Sequence, residues 1–429
     1  MKNFIQTKNV KIAIIGLGYV GLPLAILFSD HYDTIGFDID EKRINQLRKF
    51  NDTTNEISSD KIKDSKRLHL TSNINDLIDT NIYIVTVPTP VDNYNRPNLD
   101  HLQSASSLIG EQLSIGDIVV YESTVFPGCT EEICIPILEK NSNLVFNKDF
   151  FVGYSPERAN PGDKLRPVKS ITKVVSGSTD EVTDSLVSLY DKIIDAGIHR
   201  APNIKVAEGA KIIENIQRDL NIALMNELAI FFDKLDIKMS DVLDAANTKW
   251  NFLDFKPGLV GGHCISVDPY YLLHKAQEFG FYPEVIWAGR RANIAIVPHI
   301  FGKSIKLMNQ KGTLKESSNI LIAGFSFKEN CSDVRNTRVY DLYLEYKNAG
   351  FSVDVYDPVV CKETVFKEYS LNMLDELPKS KNYGLILIAV KHDEINRIGL
   401  NGFKEIGCKN CVIFDVKGLF DKEKVDASL

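Results

Sequence analysis

Close to its start the chain reads Ile12-Ala-Ile-Ile-Gly-Leu-Gly-Tyr-Val-Gly-Leu-Pro-Leu-Ala-Ile-Leu-Phe28, an apolar run that passes through three glycines into a second apolar run. The first run predicts a buried strand, and Leu22–Phe28 predicts a helix directly after it. Gly16 permits a tight turn, Gly18 lets backbone approach a pyrophosphate, and Gly21 allows close packing of the helix. The pattern therefore predicts a dinucleotide site with its phosphates at a helix N-terminus.

An acidic residue stands where such a site needs one. The next predicted strand, Thr34–Phe37, ends at Asp38, about 20 residues beyond the glycines. A carboxylate there can bind the ribose hydroxyls, which favours NAD over NADP. Two alternatives stay open: Asp38 is a turn or cap residue, or Arg43 receives a 2′-phosphate.

Small hydroxyl residues follow two further predicted strands, Ile82–Val87 and Asp117–Tyr121. Ligands of an open parallel sheet gather beyond the carboxyl ends of its strands. We therefore expect Thr89, Ser123 and Thr124 to line the cofactor crevice. The alternative is ordinary turn chemistry by Ser, Thr and Pro.

Three candidate catalytic groups lie in the middle of the chain. A predicted strand, Phe150–Gly153, leads to Glu157, a candidate acid or base whose alternative is an exposed loop carboxylate. A long helix is predicted from Ile204 to about Leu235, too apolar for a lone surface helix. Lys211 and Asn215 are four residues apart in it, so both can donate to one oxygen unless they are solvated surface residues.

A glycine-rich loop carries the candidate nucleophile. The stretch Phe255-Lys-Pro-Gly-Leu-Val-Gly-Gly-His-Cys-Ile-Ser-Val-Asp-Pro269 places Cys264 among glycines, with Asp268 four residues later. The glycines remove side chains that would keep backbone donors away from the thiol. We interpret Cys264 as a covalent nucleophile; the alternative is a buried, inert cysteine beside a turn.

The last third of the sequence predicts a second doubly wound unit without a glycine fingerprint, which we expect to bind something other than the dinucleotide. Lys328 and Arg335 follow its first strand and suit a diphosphate, with surface charge as the alternative. The predicted domains are 1–200, 201–311 and 312–429. The predicted strands of the last domain are Ser318–Ala323, Ser352–Tyr356, Gly384–Val390 and Cys411–Asp415, with a helix at Arg338–Ala349.

Composition bounds the class of protein. The 429 residues carry a formal net charge of −7, with 44% hydrophobic and 25% charged residues. These are ordinary globular values, without the basic excess of a nucleic-acid-binding chain. No apolar run reaches the roughly 18 residues of a membrane span, so we expect a cytoplasmic protein that binds neither nucleic acid nor membranes. Cys408 and Cys411 stand without a second ligand pair, so we expect no metal site.

Seven groups of residues stand in a fixed order along the chain. They are Gly16-Leu-Gly-Tyr-Val-Gly-Leu-Pro23, Val87-Pro-Thr-Pro90, Glu122-Ser-Thr124, Ser155-Pro-Glu157, Lys211 with Asn215, Gly261-Gly-His-Cys264 with Asp268, and Gly324-Phe-Ser-Phe-Lys328 with Asp333 and Arg335. In this order they resemble the UDP-glucose/GDP-mannose dehydrogenase family over nearly the whole chain. Within that family the cysteine loop is similar to that of the UDP-N-acetylhexosamine 6-dehydrogenases, because Val267 stands where the UDP-glucose enzymes usually have lysine.

The resemblance implies an α/β fold with two doubly wound Rossmann-like domains, joined by a long central helix and a helical dimerisation region. It implies a homodimer that uses NAD for a four-electron oxidation of a UDP-sugar, from the C6 alcohol to the carboxylate, in capsule or O-antigen synthesis. The implied substrate is UDP-GlcNAc or UDP-GalNAc, with UDP-N-acetylmannosamine and UDP-glucose as alternatives. Cys264 would form a thiohemiacetal and then a thioester.

The motifs and the resemblance together assign residues to three roles. The catalytic residues are Cys264, Lys211, Asn215, Asp268, Thr124 and Glu157. The NAD-binding residues are Gly16, Gly18, Tyr19, Val20, Gly21, Asp38, Arg43, Pro88, Thr89, Ser123, Thr124 and Arg335. The substrate-binding residues are Glu157, Arg158, Ala159, Lys211, Asn215, Phe255, Lys256, Gly258, Gly261, Phe327 and Lys328, with Lys249 or Arg290 entering from a neighbouring subunit.

Two other classes of protein share parts of this pattern. A two-electron hydroxyacid or sugar-phosphate dehydrogenase would have the glycine fingerprint and the long helix but would not need Cys264. A non-catalytic nucleotide-binding protein would form no NADH with any nucleotide sugar. Asp268, Thr124 and Glu157 stay open alternatives for the base at each step.

Overall fold

The computed structural model describes residues 10–92, 94–158, 167–315, 318–379 and 382–429. These residues form two compact units. Unit 1 comprises the described residues up to Glu214 together with Tyr270–Phe281. Unit 2 comprises Asn215–Pro269 and Tyr282–Leu429.

The described strands of unit 1 form one sheet. They are β1 (Lys11–Ile15), β2 (Asp33–Phe37), β3 (Leu68–Thr71), β4 (Ile82–Val85), β5 (Ile118–Tyr121), β6 (Phe151–Tyr154), β7 (Lys173–Gly177) and β8 (Ile198–Arg200). Their order is β3-β2-β1-β4-β5-β6-β7-β8. The first six follow the order of a dinucleotide-binding doubly wound sheet, which confirms the predicted fold class. In this sheet β7 pairs antiparallel with β6, a departure from the parallel sheet that the sequence predicts.

Helices cover this sheet, because its central strands are buried and apolar. The helices are α1 (Gly21–Ser29), α2 (Glu41–Arg48), α3 (Ser59–Asp64), α4 (Asp100–Gly110), α5 (Ile135–Ser142) and α6 (Asp180–Tyr190). Shorter helical turns lie at Ile74–Leu77, Thr130–Cys134 and Val168–Ser170. Side-chain caps fix several helix starts; Asp40, for example, accepts the N–H of Lys42 at 2.9 Å.

One long helix, α7 (Ile204–Lys234), passes from unit 1 into unit 2 between Glu214 and Asn215. It matches the predicted helix closely at both ends. With 3.6 residues per turn, Lys211 and Asn215 lie about one turn apart on it. The predicted pair of donors is therefore presented by a single continuous helix.

Unit 2 contains the second sheet. Its described strands are β9 (Asn319–Ala323), β10 (Ser352–Tyr356), β11 (Tyr383–Ile388), β12 (Gly407–Asp415) and β13 (Ala427–Ser428). They lie in the order β10-β9-β11-β12-β13 and pair in parallel, as a doubly wound unit requires. The helices that follow α7 along the chain are α8 (Met239–Ala246), α9 (Asp268–Glu278), α10 (Glu284–Lys311), α11 (Arg338–Asn348), α12 (Lys362–Tyr369) and α13 (Asp393–Ile406).

One strand is shorter than predicted, and the side chain of the residue after its end bonds a turn. The strand predicted to reach Val87 ends at Val85, and Thr86 Oγ1 donates to Gly16 O at 2.7 Å. This bond joins the end of β4 to the glycine turn after β1. Among the described helices, none combines the length and apolar character needed to cross a bilayer.

Replacing Gly21 by alanine tests the close packing of α1 against β1. A Cβ at Gly21 would overlap Gly16 O and Thr86 Oγ1, whereas a Cβ at Gly18 would meet none of the described atoms within 4 Å. We expect Gly21→Ala to lower the free energy of unfolding by about 1–3 kcal/mol. Gly18→Ala, the matched control, should change it by less than ~0.5 kcal/mol. Thermal or urea unfolding without cofactor measures both; equal stability of the two variants would contradict this packing.

Candidate active site

The turn after β1 brings Asp38 to the glycine fingerprint. Gly16 has φ 95°, a left-handed value that favours glycine, and its N–H donates to Phe37 O at 2.8 Å. The Asp38 carboxylate accepts the N–H of Leu17 at 2.8 Å and that of Asp40 at 2.9 Å, one on each oxygen. These bonds hold a half-buried carboxylate at the end of β2, where a ribose ligand is predicted.

The start of α1 offers open backbone to a pyrophosphate. Gly18 is exposed, and Tyr19 and Val20 are half-buried. Within the described chain no side chain caps α1 at Val20, so an anion can take the place of a capping oxygen. Gly21 lies too close to Gly16 to carry a side chain. Open backbone, an uncapped helix start and Asp38 together fit a dinucleotide such as NAD.

Arg43 lies beside this turn, with its guanidinium bound inside unit 1. Its Nε donates to Leu17 O at 3.0 Å, and its Nη2 pairs with Asp52 at 2.8 Å. Burial alone would raise the pKa of Asp52, but hydrogen bonds from Thr54, Ile57 and Arg43 outweigh it and hold that pKa below its usual value. The guanidinium of Arg43 is therefore paired with the ionised carboxylate of Asp52. This pairing argues against the predicted alternative, in which Arg43 binds a 2′-phosphate.

The hydroxyl residues lie at strand ends, as predicted. Ser123 Oγ donates to Val87 O at 2.7 Å, which joins the ends of β4 and β5. Ser123 and Thr89 are buried, Thr124 is half-buried and Pro88 is exposed. Within unit 1, Thr124 and Pro88 are therefore the members of this group that a ligand reaches most easily.

Glu157 lies in a buried ionic cluster, not in an exposed loop. Its carboxylate accepts from Lys173 Nζ at 3.0 Å, and the same Nζ donates to Glu122 at 2.6 Å. The hydroxyl of Tyr190 bonds the other oxygen of Glu122. Glu157 is 5% exposed, Glu122 3% and Lys173 4%. The cluster joins residues that follow β5 and β6 to the start of β7.

The two carboxylates of this cluster differ in their preference for a proton. Burial raises the pKa of Glu122 to about 6, although Lys173 acts in the opposite direction. Burial acts in the same way on Glu157, but Lys173 and Lys211 outweigh it, and the pKa of Glu157 lies below its usual value. The Lys173 ammonium is stabilised by both carboxylates against the effect of burial, so its pKa is raised. Glu157 therefore loses its proton more readily than Glu122 and is the more fully ionised of the two at neutral pH.

Lys211 reaches the same cluster from α7. It is buried, and its Nζ donates to the main-chain oxygen of Glu157. The N–H of Arg158 donates to Glu157 Oε1 at 2.6 Å, and its guanidinium pairs with Glu214 on α7. Ala159 lies outside the described residues. Unit 1 thus brings together three predicted residues, Glu157, Arg158 and Lys211.

In unit 2, Asn215 and Asp268 meet beside the cysteine loop. Asn215 Nδ2 donates to Asp268 Oδ2, and both side chains are buried. The N–H of Asp268 donates to Cys264 O at 2.8 Å, so the cysteine lies one turn before the aspartate at the start of α9. Cys264 is half-buried. A half-buried cysteine one turn before a buried carboxylate differs from the fully buried core cysteine of the alternative interpretation.

The glycines of the cysteine loop are points of close backbone contact within unit 2. The N–H and O of Gly258 bond the side chain of Asn226 at 2.7 and 3.0 Å. A Cβ at Gly261 would lie 2.6 Å from a backbone oxygen. Gly262 has φ 91°, and a Cβ there would lie 2.7 Å from the ring of Phe327. The loop therefore packs by its main chain, and Phe327 lies against it; the approach of backbone donors to the thiol stays a prediction.

Two cations follow β9, and they have different partners. Lys328 is half-buried, with Nζ 5.6 Å from the ring centre of Phe327. Arg335 pairs with Asp333 through Nε at 2.9 Å and Nη2 at 2.6 Å. That carboxylate binds the guanidinium of Arg335 within unit 2, and Lys328 and Arg335 both stay predicted contacts of a diphosphate. Nearer the cysteine, Phe255 is half-buried and Lys256 is exposed.

Arg290 is buried inside unit 2, whereas a residue that contacts a neighbouring subunit would lie at the surface. It is 1% exposed, and its Nη1 pairs with Asp219 in unit 2. Asn293 donates to the same carboxylate oxygen at 2.7 Å. This burial disagrees with the predicted role of Arg290 at a second subunit. Lys249 is exposed and keeps that predicted role open.

Several polar residues that hold the site are absent from the sequence prediction. Glu122 and Lys173 support Glu157, and Asn226 supports Gly258. Lys417 follows β12, with Nζ 3.4 Å from where a Gly258 Cβ would stand. Glu122 had a signal, since a charged residue directly after a buried strand is unusual, and Lys417 follows a strand end; Lys173 had none.

Three models of one protein family match the chain in succession. The UDP-glucose/GDP-mannose dehydrogenase family, NAD binding domain, matches residues 10–194. The central domain of that family matches residues 205–295, and its UDP binding domain matches residues 321–422.

Individual relatives are similar over their full length. UDP-N-acetyl-D-glucosamine 6-dehydrogenase of Pseudomonas aeruginosa is 50% identical, covering 98% of this chain and 100% of its own. The enzyme of the same name from Salmonella typhi is 49% identical, covering 98% and 99%. The structure of UDP-D-ManNAc dehydrogenase from Pyrococcus horikoshii has a TM-score of 0.87 at 27% identity, covering 98% of both chains.

The glycine turn with Asp38 in unit 1 falls inside the region matched by the NAD binding model. Strands β10, β11 and β12 of unit 2 fall inside the region matched by the UDP binding model. The family models match most of the chain, and relatives about 50% identical in sequence cover nearly all of it. Together these matches assign the chain to one family. The protein is an NAD-dependent nucleotide-sugar dehydrogenase and belongs to the UDP-glucose/GDP-mannose dehydrogenase family.

Proposed function

We propose that this enzyme oxidises the C6 alcohol of a UDP-N-acetylhexosamine to the carboxylate through a covalent intermediate on Cys264. UDP-GlcNAc is the first candidate substrate and UDP-GalNAc the second, because relatives at 50% and 49% identity are named UDP-N-acetyl-D-glucosamine 6-dehydrogenases. More distant relatives, 29–32% identical, are named UDP-N-acetyl-D-mannosamine dehydrogenases. UDP-N-acetylmannosamine is therefore the main alternative. We propose a role in capsule or O-antigen synthesis as the use of the product.

The observation that carries this proposal is the cysteine's surroundings in unit 2. A half-buried thiol lies one turn from Asp268, whose carboxylate is bonded by Asn215. A two-electron dehydrogenase needs no nucleophile, so it gives no reason for this arrangement. An amide that can polarise a carbonyl and a carboxylate that can take a proton suit thiol addition and thioester hydrolysis.

The covalent sequence balances with one water and two NAD⁺ per carboxylate. Loss of a proton and a hydride from the C6 alcohol gives the aldehyde. The Cys264 sulfur then bonds to C6, and the carbonyl oxygen takes up a proton to give a thiohemiacetal. Loss of a second hydride and a proton gives the thioester. Water adds to C6, the carbon–sulfur bond breaks, and the carboxylate and the thiol are released.

Two side chains of α7 are proposed to stabilise the oxygen on C6. Lys211 and Asn215 lie about one turn apart on one continuous helix. Each donor aimed at a developing oxyanion is worth roughly 3–4 kcal/mol in comparable sites. Asp268 and Glu157 are the proposed proton acceptors, because both carboxylates are buried and hydrogen-bonded. Thr124 is the proposed relay for a proton.

The residues around the glycine turn would hold NAD. Gly18 and the start of α1 would take the pyrophosphate, and Asp38 the ribose. When bound, NAD⁺ supplies the hydride acceptor. Thr89, Ser123 and Pro88 would line the same edge of the sheet in unit 1. Arg335 stays a predicted contact of the cofactor.

The loop and sheet of unit 2 would hold the UDP group. Lys328 and Lys417 contribute positive charge near the ends of β9 and β12, where ligands of parallel sheets bind. Lys256 and Lys249 are exposed further cations. Gly258 and Gly261 stay predicted contacts of the nucleotide on the loop that carries Cys264.

We also propose a homodimer and the predicted three-part division at 1–200, 201–311 and 312–429. Support for the dimer comes from apolar residues exposed on one face of α7. Ile213, Leu224 and Phe231 are 64%, 53% and 52% exposed. Their spacings of eleven and seven residues place them within roughly 20° of each other around the helix. Exposed apolar side chains repeated along one face of a long helix suit an interface between subunits.

An assay across UDP-GlcNAc, UDP-GalNAc, UDP-ManNAc, UDP-glucose and GDP-mannose tests the substrate and the mechanism together. We expect the highest kcat/KM with UDP-GlcNAc or UDP-GalNAc and two NADH per carboxylate. Cys264→Ser should lower carboxylate formation by roughly 10³-fold or more, because a hydroxyl is a much weaker nucleophile than a thiolate. Cys361→Ser, which alters an exposed cysteine, is the matched control and should behave as wild type. One NADH per product, or a clear preference for UDP-glucose, would overturn the proposal.

Removing the ammonium of Lys211 tests its role as an oxyanion donor. We expect Lys211→Ala to lower kcat by about 10²–10³-fold with a small change in KM for NAD⁺, because the interaction strengthens as charge develops. Lys205→Ala is the control on the same helix; its side chain is exposed and pairs only at the surface with Glu131. It should stay within about twofold of wild type. Steady-state kinetics of both variants measures this, and equal kcat values would contradict it.

Charge on the exposed face of α7 tests the dimer. We expect the double variant Leu224→Glu, Phe231→Glu to sediment as a monomer, because carboxylates cannot be buried in an apolar interface without partners. Ile115→Glu, at a residue 69% exposed in unit 1, should leave the mass unchanged. Analytical ultracentrifugation measures both. A wild-type monomer, or a double variant that stays dimeric, would rule out this face.

A further inference from the structure

The carboxylate of Glu157 shares one ammonium with a second carboxylate. Lys173 Nζ lies 3.0 Å from Glu157 and 2.6 Å from Glu122, and each of the three residues is at most 5% exposed. Fully ionised, these three side chains sum to one excess negative charge, and the further positive charge nearby, the Lys211 ammonium, lies on the Glu157 side. Burying uncompensated charge costs several kcal/mol, so a proton will be taken up preferentially by one of the two carboxylates.

The neighbours of the two carboxylates differ, and this decides where the proton goes. Glu157 accepts two N–H groups, from Lys173 Nζ and from the Arg158 main chain at 2.6 Å. Donors of this kind bond only to a lone pair and favour the ionised form. Glu122 accepts from Lys173 and is bonded by the Tyr190 hydroxyl, which can donate to a carboxylate or accept from a carboxylic acid. Glu122 therefore has a partner in both protonation states.

We propose that Lys173 and Glu122 are positioning residues that keep Glu157 an oriented carboxylate, with Glu122 taking the cluster's proton. The Lys173 ammonium fixes the Glu157 carboxylate in place and supplies the positive charge that keeps it ionised. Glu122 neutralises that ammonium on its other side and takes up the proton when one enters. Glu157 is then available as a proton acceptor at and below neutral pH. This inference rests on the proposed role of Glu157 in the oxidation.

Among the described residues, charged and titratable groups bonded to Glu157 or to its partners lie on several elements. They are Glu122 after β5, Lys173 at the start of β7, Tyr190 at the end of α6, Lys211 and Glu214 on α7, and Arg158 next to it in the chain. Glu214 pairs with Arg158, and Lys211 adds a second positive charge at the Glu157 main chain. The directions of the two pKa shifts agree with the geometry: that of Glu122 is raised to about 6, chiefly by burial, and that of Glu157 is lowered because the two lysines outweigh burial.

The pH profile of kcat separates this role from simple structural support. In Lys173→Met the side chain is neutral and no longer offsets the effect of burial on the pKa of Glu157. We therefore expect the acid limb of the kcat profile to move up by about 1–2 pH units. Lys173→Arg keeps the charge and should restore the wild-type limb. Glu122→Gln removes the competing carboxylate, so its limb should stay or move down. A folded Lys173→Met variant with an unmoved limb, or an upward shift in Glu122→Gln, would overturn the inference.

A second measurement needs no substrate. The Glu122 pKa of about 6 lies above its unfolded value, so the native state binds more protons than the unfolded state between about pH 4.5 and 6. This contribution to stability is present at low pH and is lost as pH rises through 6. Urea unfolding across this range should show wild type losing more stability than Glu122→Gln; identical slopes would overturn the proton assignment. Wild-type enzyme that forms no NADH with any nucleotide sugar would reject the proposed function while leaving this result intact.

Discussion

A carboxylate taken out of water must be satisfied by the protein, and Asp268 is where this requirement shapes the cysteine loop. The side chain is 1% exposed, and leaving it unpaired would cost several kcal/mol. Asn215 supplies an amide donor, while the Asp268 N–H bonds Cys264 O. These bonds join α7 to the loop within unit 2 and set the turn that carries the thiol. The group that must be paired for stability therefore also fixes the backbone turn that carries Cys264.

Both sheets have a glycine turn after their first strand, but the aspartate that binds this turn has different surroundings in the two units. In unit 1 the carboxylate of Asp38 accepts the N–H after the turn and stays half-buried at the sheet edge. In unit 2 Asp357 accepts the corresponding N–H after Gly324, which has φ 93°. Asp357 also accepts the N–H of Ser326 and is bonded by His392 Nε2 at 3.0 Å, and it is 1% exposed. Because partners inside unit 2 bind the carboxylate of Asp357, it is not open to a ribose as Asp38 is, which suits a domain matched by a UDP binding model.

Local patterns were readable from the sequence, and long-range pairings were not. The glycine turn, Asp38 and the long helix α7 follow from residues close together in the chain, so spacing and periodicity predict them. Lys173 meets Glu122 across 51 positions and Arg290 meets Asp219 across 71. No short-range pattern marks such a pair: the position of Glu122 after a buried strand is unusual, but nothing near it in the sequence indicates Lys173 as its partner. The antiparallel β7 escaped prediction for the same reason, since strand direction is set by neighbours distant in sequence.

A chain of buried polar side chains in unit 2 ends at the cysteine loop. Gly258 has no side chain to pack, so hydrogen bonds to its N–H and O must fix it, and the amide of Asn226 supplies both a donor and an acceptor. Asn293 orients that amide at 2.8 Å, Asp219 orients Asn293, and Arg290 neutralises Asp219. Apolar residues in their place could fill the same space between α7 and α10, but they would leave the Gly258 peptide unsatisfied. Each polar side chain in this series thus satisfies the one before it. The series begins at the Gly258 peptide, whose conformation belongs to the loop that carries Cys264.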